Sequence, residues 1–388
     1  MFHDLTRRST VSVLAASIGL IALGEELWLA YVPAYLGALG ASGFTIGVFG
    51  SARDLLDSAY QYPGGWISDR LGRRRALLLF TAAATIGYAI YAVAPDWRFV
   101  FAGLFGVMAW KAGAFPTTFA VIGESLPPGR RATAFALQSI LVRIPRVISA
   151  PVGGLLIGGL GVIAGVRAAL AASVFLAIVV LALQRYGADR HGSTGSAGGG
   201  VPAEPARMPP ALRRLLVSDC LVRIGEGVAA SFIVLFVLQV RHVSAAQYGL
   251  LYATQQCVSI ASYLPGGRLG DRLERAPVVA LTFVFFALFP LAVRFAPTVP
   301  LLFLAFALGG LKEIGEPARK SLIVDLAPAD QRARVVGIYY GIRNLTVVPA
   351  GIVGGLLWQR SPTLPLEVAF AVGASGALVF LLTLLRDR

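Results

Sequence analysis

The residues best equipped for chemistry in this chain stand where ionised groups are least expected, in the middle of long apolar runs. The cations are Arg53, Lys111, Arg143, Arg146, Arg223, Lys312 and Arg343, and the anions are Glu25, Glu26, Asp54, Asp57, Asp219, Glu226, Glu313 and Glu316. Each costs on the order of 2.5 to 3.5 kcal/mol if left facing hydrocarbon. Unpaired, the set would cost more than the whole stability of a typical protein, so these side chains must line water or pair with one another. Three uses are open to them: holding a charged ligand, carrying a proton on a carboxylate, or forming internal ion pairs. Helical spacing puts Arg53 with Asp57, Asp219 with Arg223, Arg223 with Glu226, and Lys312 with Glu316 on shared faces, so some are candidate structural pairs. Arg143 and Arg146 flank Pro145 with no acid in the same run. Their partners must come from another helix or from a ligand.

The elements that carry these charges are membrane helices. The composition is 56% hydrophobic and only 14% charged, with mean hydropathy +0.73, against about 25% charged in an ordinary soluble domain. Apolar runs of spanning length recur at 11–38, 45–67, 76–94, 99–123, 132–157 and 162–183, then at 213–240, 247–268, 276–295, 299–324, 334–357 and 365–385. The expected fold is therefore an all-α integral membrane protein with twelve transmembrane helices in two pseudo-symmetric six-helix bundles. The bundles are 1–186 and 212–388, joined by a Gly-, Ser- and Pro-rich flexible linker at 187–211. The first run, despite following Arg7 and Arg8, is too long for a signal peptide and contains Glu25 and Glu26, so it reads as a retained span.

A net charge of +14 would suggest nucleic acid in a soluble protein, but here the arginines sort by loop. One face collects Arg7, Arg8, Arg70, Arg73 to Arg75, Arg130, Arg131, Arg272, Arg275, Arg332 and Arg334, while the opposite loops hold little beyond Arg98, Arg241 and Arg360. The positive-inside rule then puts both termini in the cytoplasm and the chain in the cytoplasmic membrane, with the lipid bilayer rather than nucleic acid as its surroundings. Cys220 and Cys257 fall inside spans and His3, His191 and His242 outside them, so no metal site and no disulfide framework is expected. No phosphate-binding loop and no nucleophile with its base is found either. An enzyme is the least supported class, no cofactor is expected, and a monomer is assumed.

Two stretches 202 residues apart are nearly the same: Pro63-Gly64-Gly65-Trp66-Ile67-Ser68-Asp69-Arg70-Leu71-Gly72-Arg73, and Pro265 through Arg275 with Asp271, Arg272 and Glu274. At an offset of 201 or 202, Gly24-Glu25 matches Gly225-Glu226, Lys111 matches Lys312, Pro116 matches Pro317, Glu124 matches Asp325, and Gly153-Gly154-Leu155-Leu156 matches Gly354-Gly355-Leu356-Leu357. A duplicated unit with an even number of spans enters and leaves on the same side, so the halves form a parallel repeat.

On these residues the chain resembles the major facilitator superfamily, whose hallmark loop Gly-x-x-x-Asp-Arg-x-Gly-Arg-Arg is reproduced by Gly65, Asp69, Arg70, Gly72, Arg73 and Arg74. The resemblance implies that this loop, with Glu124 and the second copy's Asp271 and Arg272, gates the molecule by latching the halves on the cytoplasmic side. It also implies that helices 1, 4, 7 and 10 line a central cavity. That placement would gather Glu25, Lys111, Glu226, Lys312 and Glu316 at one midplane substrate site, with Arg143, Arg146 and Arg343 beside it. Glu25, Glu26, Asp57 and Glu226 are the candidate proton carriers. Trp28, Tyr31, Tyr35, Tyr60, Trp110, Phe115, Tyr252, Tyr339 and Tyr340 either stack in that cavity or serve as packing and interfacial anchors. Pro116, Pro151, Pro317 and Pro349 are expected to interrupt helices 4, 5, 10 and 11.

The function implied is secondary active transport of a small polar or charged organic molecule by alternating access, as proton-coupled efflux. The partial helix 5 antiporter motif, Ala150-Pro151-Val152-Gly153-Gly154, favours that mode. The alternative is a symporter or exchanger of an anionic or zwitterionic metabolite, favoured by the cations. A receptor or assembly protein on the same scaffold is a third class, without the soluble domain that usually accompanies it.

Overall fold

A computed structural model describes residues 16–110, 131–187, 208–272, 275–328 and 332–386. Lys111, Pro116, Glu124 and most of the linker lie outside the described residues. What is described is helical, with no strand among those residues. The helices are α1 (16–26), α2 (Val32–Ala38), α3 (Gly43–Leu71), α4 (Arg73–Val93), α5 (Trp97–Trp110), α6 (Arg131–Leu160), α7 (Val162–Gly187) and α8 (Pro210–Ala230). They continue as α9 (Phe232–Leu235), α10 (Ala245–Arg272), α11 (Arg275–Phe295), α12 (Val299–Leu311), α13 (Glu316–Leu326), α14 (Arg332–Val347), α15 (Ala350–Arg360) and α16 (Leu364–Arg386).

Among the described residues six stretches are long and apolar enough to cross a bilayer: Arg74–Val93, Val162–Tyr186, Pro210–Val240, Arg275–Phe295, Val335–Arg360 and Leu364–Leu385. Side chains such as Leu155, Phe175, Leu304 and Leu385 point outward, as lipid contact requires. The runs 11–38 and 99–123 lie partly outside the described residues, and three others carry features that dilute their apolarity. Helix α3 holds Arg53, Asp54 and Asp57, α10 holds Gln255, Gln256, Arg268, Asp271 and Arg272, and the run at 299–324 is split between α12 and α13.

By internal contact the chain divides into two compact units, Met1–Gly40 with Leu55–Val201, and Ala41–Asp54 with Pro202–Arg388. In the first, α4 and α6 pack along α7. Its core is aromatic: Trp28, Tyr31, Tyr35, Tyr88 and Tyr91 are fully buried, with Trp28 meeting Tyr88 and Tyr91 edge-on at 5.8 and 5.6 Å. Three of the polar tips find internal acceptors in this core. Trp28 Nε1 donates to Ser173 Oγ at 3.0 Å, Tyr31 to the Ala150 carbonyl at 3.0 Å, and Tyr35 to the Tyr91 carbonyl at 2.8 Å. Trp28, Tyr31 and Tyr35 are thus packing residues, not stacking faces.

In the second unit α8 lies against α16, α11, α14 and α15. Its core includes Leu212, Leu215, Val222, Val278, Phe283, Ile323, Tyr339 and Phe380.

Helix continuity departs from expectation in an informative way. Pro145 and Pro151 lie inside an uninterrupted α6, so Pro151 does not break its helix. The breaks fall elsewhere. After α1 the ladder tightens, with Leu27 N–H to Gly24 and Trp28 N–H to Glu25, both at 3.3 Å, leading into the 3-10 turn Leu29–Tyr31. After α8, Ser231 and a π-helical stretch Phe236–Val240 disturb the second unit's equivalent segment. Between α12 and α13 residues 312–315 form turns ahead of Pro317, and Val348 and Pro349 separate α14 from α15.

Freed backbone groups at these breaks are satisfied by side chains, as a low-dielectric interior demands. Thr282 Oγ1 accepts from Gly315 N–H at 2.7 Å, and Ser51 Oγ accepts from Ile352 N–H at 3.1 Å.

Gly315 is required by close approach, because a Cβ there would stand 2.3 Å from Thr282 Oγ1 and 2.5 Å from the Val278 carbonyl. Gly315→Ala is therefore expected to destabilise the protein by about 1 to 3 kcal/mol. Gly337→Ala, at a helical glycine with nothing within 4 Å of its Cβ position, is expected to be neutral or mildly stabilising. Thermal unfolding of the two purified variants in detergent checks the contrast, and equal midpoints would refute it.

Candidate functional site

The densest polar site in the described residues is built on one face of α8. Asp219, Arg223 and Glu226 recur at spacings of four and three, so they stack along that face over two turns. Asp219 is 1% exposed. Its Oδ2 accepts hydrogen bonds from Arg319 on α13 and from the Tyr339 hydroxyl on α14 at 2.9 Å, and Arg343 Nε of α14 stands 2.8 Å away. Arg319 turns the rest of its fork on Glu316, through Nη2 at 2.6 Å and Nε at 3.0 Å, and Lys320 approaches the other Glu316 oxygen at 3.5 Å.

Two turns along α8, Glu226 Oε1 accepts from Lys312 Nζ at 2.7 Å while Oε2 pairs with Arg223. The Lys312 ammonium also lies over the rings of Phe286 and Phe289, at 4.8 and 5.8 Å. Arg343 is close enough to act electrostatically on both Glu226 and Glu316. The structure thus brings Glu226, Lys312, Glu316 and Arg343 into one neighbourhood of the second unit.

The observed pairing corrects three intrahelical couples suggested by spacing. Asp219 pairs with Arg319 and Arg343, leaving Arg223 to Glu226. Lys312 goes to Glu226 rather than Glu316, because the i,i+4 rule presupposes an unbroken helix and residues 312–315 are turns. Arg53 pairs with its neighbour Asp54 at 3.3 Å, and Asp57 is exposed on α3.

Arg319, the central cation, escapes the reading by repeat. At the offset that aligns Lys111 with Lys312 and Pro116 with Pro317, its counterpart is the uncharged Thr118. The signal that could have found it is its i,i+3 spacing from Glu316 inside an apolar run.

The first unit has its own polar pair at the end of α1. Glu25, 6% exposed, accepts a 2.7 Å hydrogen bond from the Tyr88 hydroxyl. Glu26, 5% exposed, pairs through Oε1 with Arg146 Nε of α6 at 2.8 Å, and its Oε2 is buried without a hydrogen-bond partner among the described residues. The partner of Arg146 thus comes from another helix, as the absence of an acid in its own run requires. Arg143 sits half-buried one turn before Arg146 on α6. Lys111 lies outside the described residues.

Of the residues expected to form the gate, Gly65 and Asp69 fall in α3, Arg70 near its end and Arg73 at the start of α4. Between the two helices Gly72 adopts φ +79°, a left-handed conformation that explains the glycine in the motif. Asp271 and Arg272 close α10, and Glu124 lies outside the described residues. In this second copy it is Arg275 that reaches across to Asp325 of α13. Their repeat equivalents are Arg73 and Glu124.

A helical chain with apolar spanning segments and buried, cross-helix ionic clusters at helix breaks is the make-up of a membrane transporter rather than of an enzyme. Residues 14–222 and 215–388 match the family model of the Major Facilitator Superfamily, and the chain belongs to that family. It is similar to the class G tetracycline resistance protein of Vibrio anguillarum, 25% identical over 370 residues and 89% of each chain. It is also similar to an uncharacterized MFS-type transporter of Methanocaldococcus jannaschii, 30% identical over 139 residues, a match spanning 36% of this chain and 32% of that one. Among solved structures, a bacterial homolog of the human lysosomal transporter Spinster, inward-facing and occupied, aligns with TM-score 0.76 over 99% of this chain and 98% of that one at 16% identity, a likeness of fold.

Because Asp219 neutralises two buried arginines, Asp219→Ala should cost about 3 to 5 kcal/mol, the range for stranding a buried charge. Tyr339→Phe removes one hydrogen bond to an ion and should cost about 1.5 to 3 kcal/mol. Denaturation of the purified variants checks the order, and an Asp219→Ala midpoint at or above that of Tyr339→Phe would overturn this account of the node.

Proposed function

We propose that the protein is a secondary active transporter of the cytoplasmic membrane, exporting a small polar or charged organic molecule by alternating access in exchange for protons. In this reading twelve helices form two six-helix bundles, 1–186 and 212–388, joined by the linker at 187–211 with both termini cytoplasmic. The substrate site comprises Glu25, Lys111, Arg143, Arg146, Glu226, Lys312, Glu316 and Arg343. Gly65, Asp69, Arg70, Gly72, Arg73, Glu124, Asp271 and Arg272 gate it. The Arg275–Asp325 pair supports the latch, since a cation at the start of α11, just after the second copy of the motif, already holds the end of a neighbouring helix.

The single observation that carries proton coupling is the pairing of Glu25 with Tyr88. A phenol can donate to a carboxylate and accept from a carboxylic acid, so the contact survives either protonation state. Glu226, at the equivalent repeat position, is held by Lys312 and Arg223 and would leave both cations uncompensated on taking up a proton. Glu25 is therefore the preferred proton carrier over Glu226, Glu26 and Asp57.

A symporter or exchanger of an anionic or zwitterionic metabolite is the second reading. It is favoured by the linked network of the second unit, where Arg223, Lys312, Arg319 and Arg343 face Asp219, Glu226 and Glu316.

The Vibrio anguillarum relative makes tetracycline the first compound to assay. In inside-out vesicles bearing the protein, a proton gradient should drive accumulation of a substrate found by a thermal-shift screen that includes tetracycline. A protonophore should abolish it. Glu25→Gln should lose gradient-driven accumulation but retain substrate exchange across the membrane. Accumulation indifferent to the protonophore would refute proton coupling, and a fully active Glu25→Gln would move the proton elsewhere.

A further inference from the structure

A buried arginine ordinarily directs its fork at acceptors, because an unmet donor in a dry interior costs as much as a lost hydrogen bond. Arg319 obeys that rule, with Nε, Nη1 and Nη2 all donating to Asp219 or Glu316. Arg343 does not. It is 9% exposed, yet its Nε, although 2.8 Å from Asp219 Oδ2, lacks the alignment to donate and is buried without a hydrogen-bond partner. No acceptor among the described residues takes a hydrogen bond from its Nη atoms. Its guanidinium carbon also lies 5.9 Å from the centroid of the Tyr340 ring. The Asp219 oxygen cannot easily serve it, since Arg319 and the Tyr339 hydroxyl already occupy that acceptor. Arg343 is thus neutralised by a nearby charge while its donors make no hydrogen bond to the described residues.

We propose that Arg343 is the seat of an oxyanion on the transported molecule, a carboxylate or a phosphate received bidentately by the planar fork. This rests on the transporter reading and narrows its substrate class to organic anions or zwitterions. A carboxylate and a phosphate both match two parallel N–H donors, which an ammonium could not offer. Tyr340 supports the guanidinium from one face, and Lys312 and Arg223, which like Arg343 act on Glu226, supply positive potential around the arriving anion. Asp219 then has a second task. By offsetting the charge of Arg343 without engaging its donors, it keeps the fork in place between transport cycles.

The test uses the full-length protein in detergent, followed by thermal unfolding. The probes are benzoate, succinate and phenyl phosphate, each beside its neutral counterpart: benzamide, succinamide and phenol. At least one anion should raise the midpoint at millimolar concentration while its counterpart does not. The carboxylate and phosphate arms identify the group. Arg343→Gln should abolish the shift. Arg343→Lys, which keeps the charge beside Asp219 and guards against a folding defect in the glutamine variant, should weaken apparent affinity by roughly tenfold.

Failure of every anion to stabilise the wild type, equal shifts from neutral counterparts, or an undiminished shift in Arg343→Lys would each overturn the proposal. Vesicle transport is scored separately. Gradient-driven accumulation that persists alongside such a failure would sink the oxyanion seat and leave the transporter reading standing.

Discussion

Hydrocarbon cannot solvate an ion, and the architecture of the second unit follows from how that constraint is met at Asp219. One carboxylate oxygen gathers Arg319, Tyr339 and Arg343, and so ties α8, α13 and α14 at a single point. At a water-exposed surface such contacts would contribute little. In an apolar interior the relevant quantity is the cost of breaking them, because removal of one partner strands the others. The node therefore joins one face of each of these three helices.

The same constraint explains why charges and helix breaks occur together. Glu25 and Glu26 close α1 just before its ladder tightens, and Glu226 precedes the disturbance at Ser231 and Phe236–Val240. Lys312 and Glu316 flank the turns between α12 and α13, and Arg343 precedes the break at Val348 and Pro349. A broken ladder frees backbone donors and acceptors, tolerated at membrane depth only where protein or trapped water meets them. Polar side chains are needed at such places in any case, so one local environment serves both. At this last break a hydroxyl serves as well, Ser51 accepting from Ile352 N–H.

Much of this was legible in the residues themselves. Apolar run length, the arginine-bearing loops and the duplicated Gly-Asp-Arg motif led to the family that the whole chain matches. The ions buried in the structure were visible as charges in apolar runs. Their partners were not, because spacing reports only neighbours on an unbroken helix, whereas Asp219 finds Arg319 a hundred residues away. Repeat matching also hid Arg319, since it highlights what two halves share and is blind to what one half has gained. Prolines misled for a related reason. Pro151 sits in a helix that tolerates it, while Pro317 and Pro349 sit at breaks, and a proline alone does not distinguish the two.

Divergence within the repeat is where function enters. Duplication placed a carboxylate at the same point in each half, Glu25 and Glu226, and the surroundings then separated their chemistry. Glu226 pairs with both Lys312 and Arg223. Tyr88 gives Glu25 a partner that accommodates either protonation state. A carrier that couples two species needs one group that can change charge and another that holds a charged environment constant while it does so. The proposed division of labour between Glu25 and Glu226 therefore lies in side-chain pairing, not in the scaffold the two halves share.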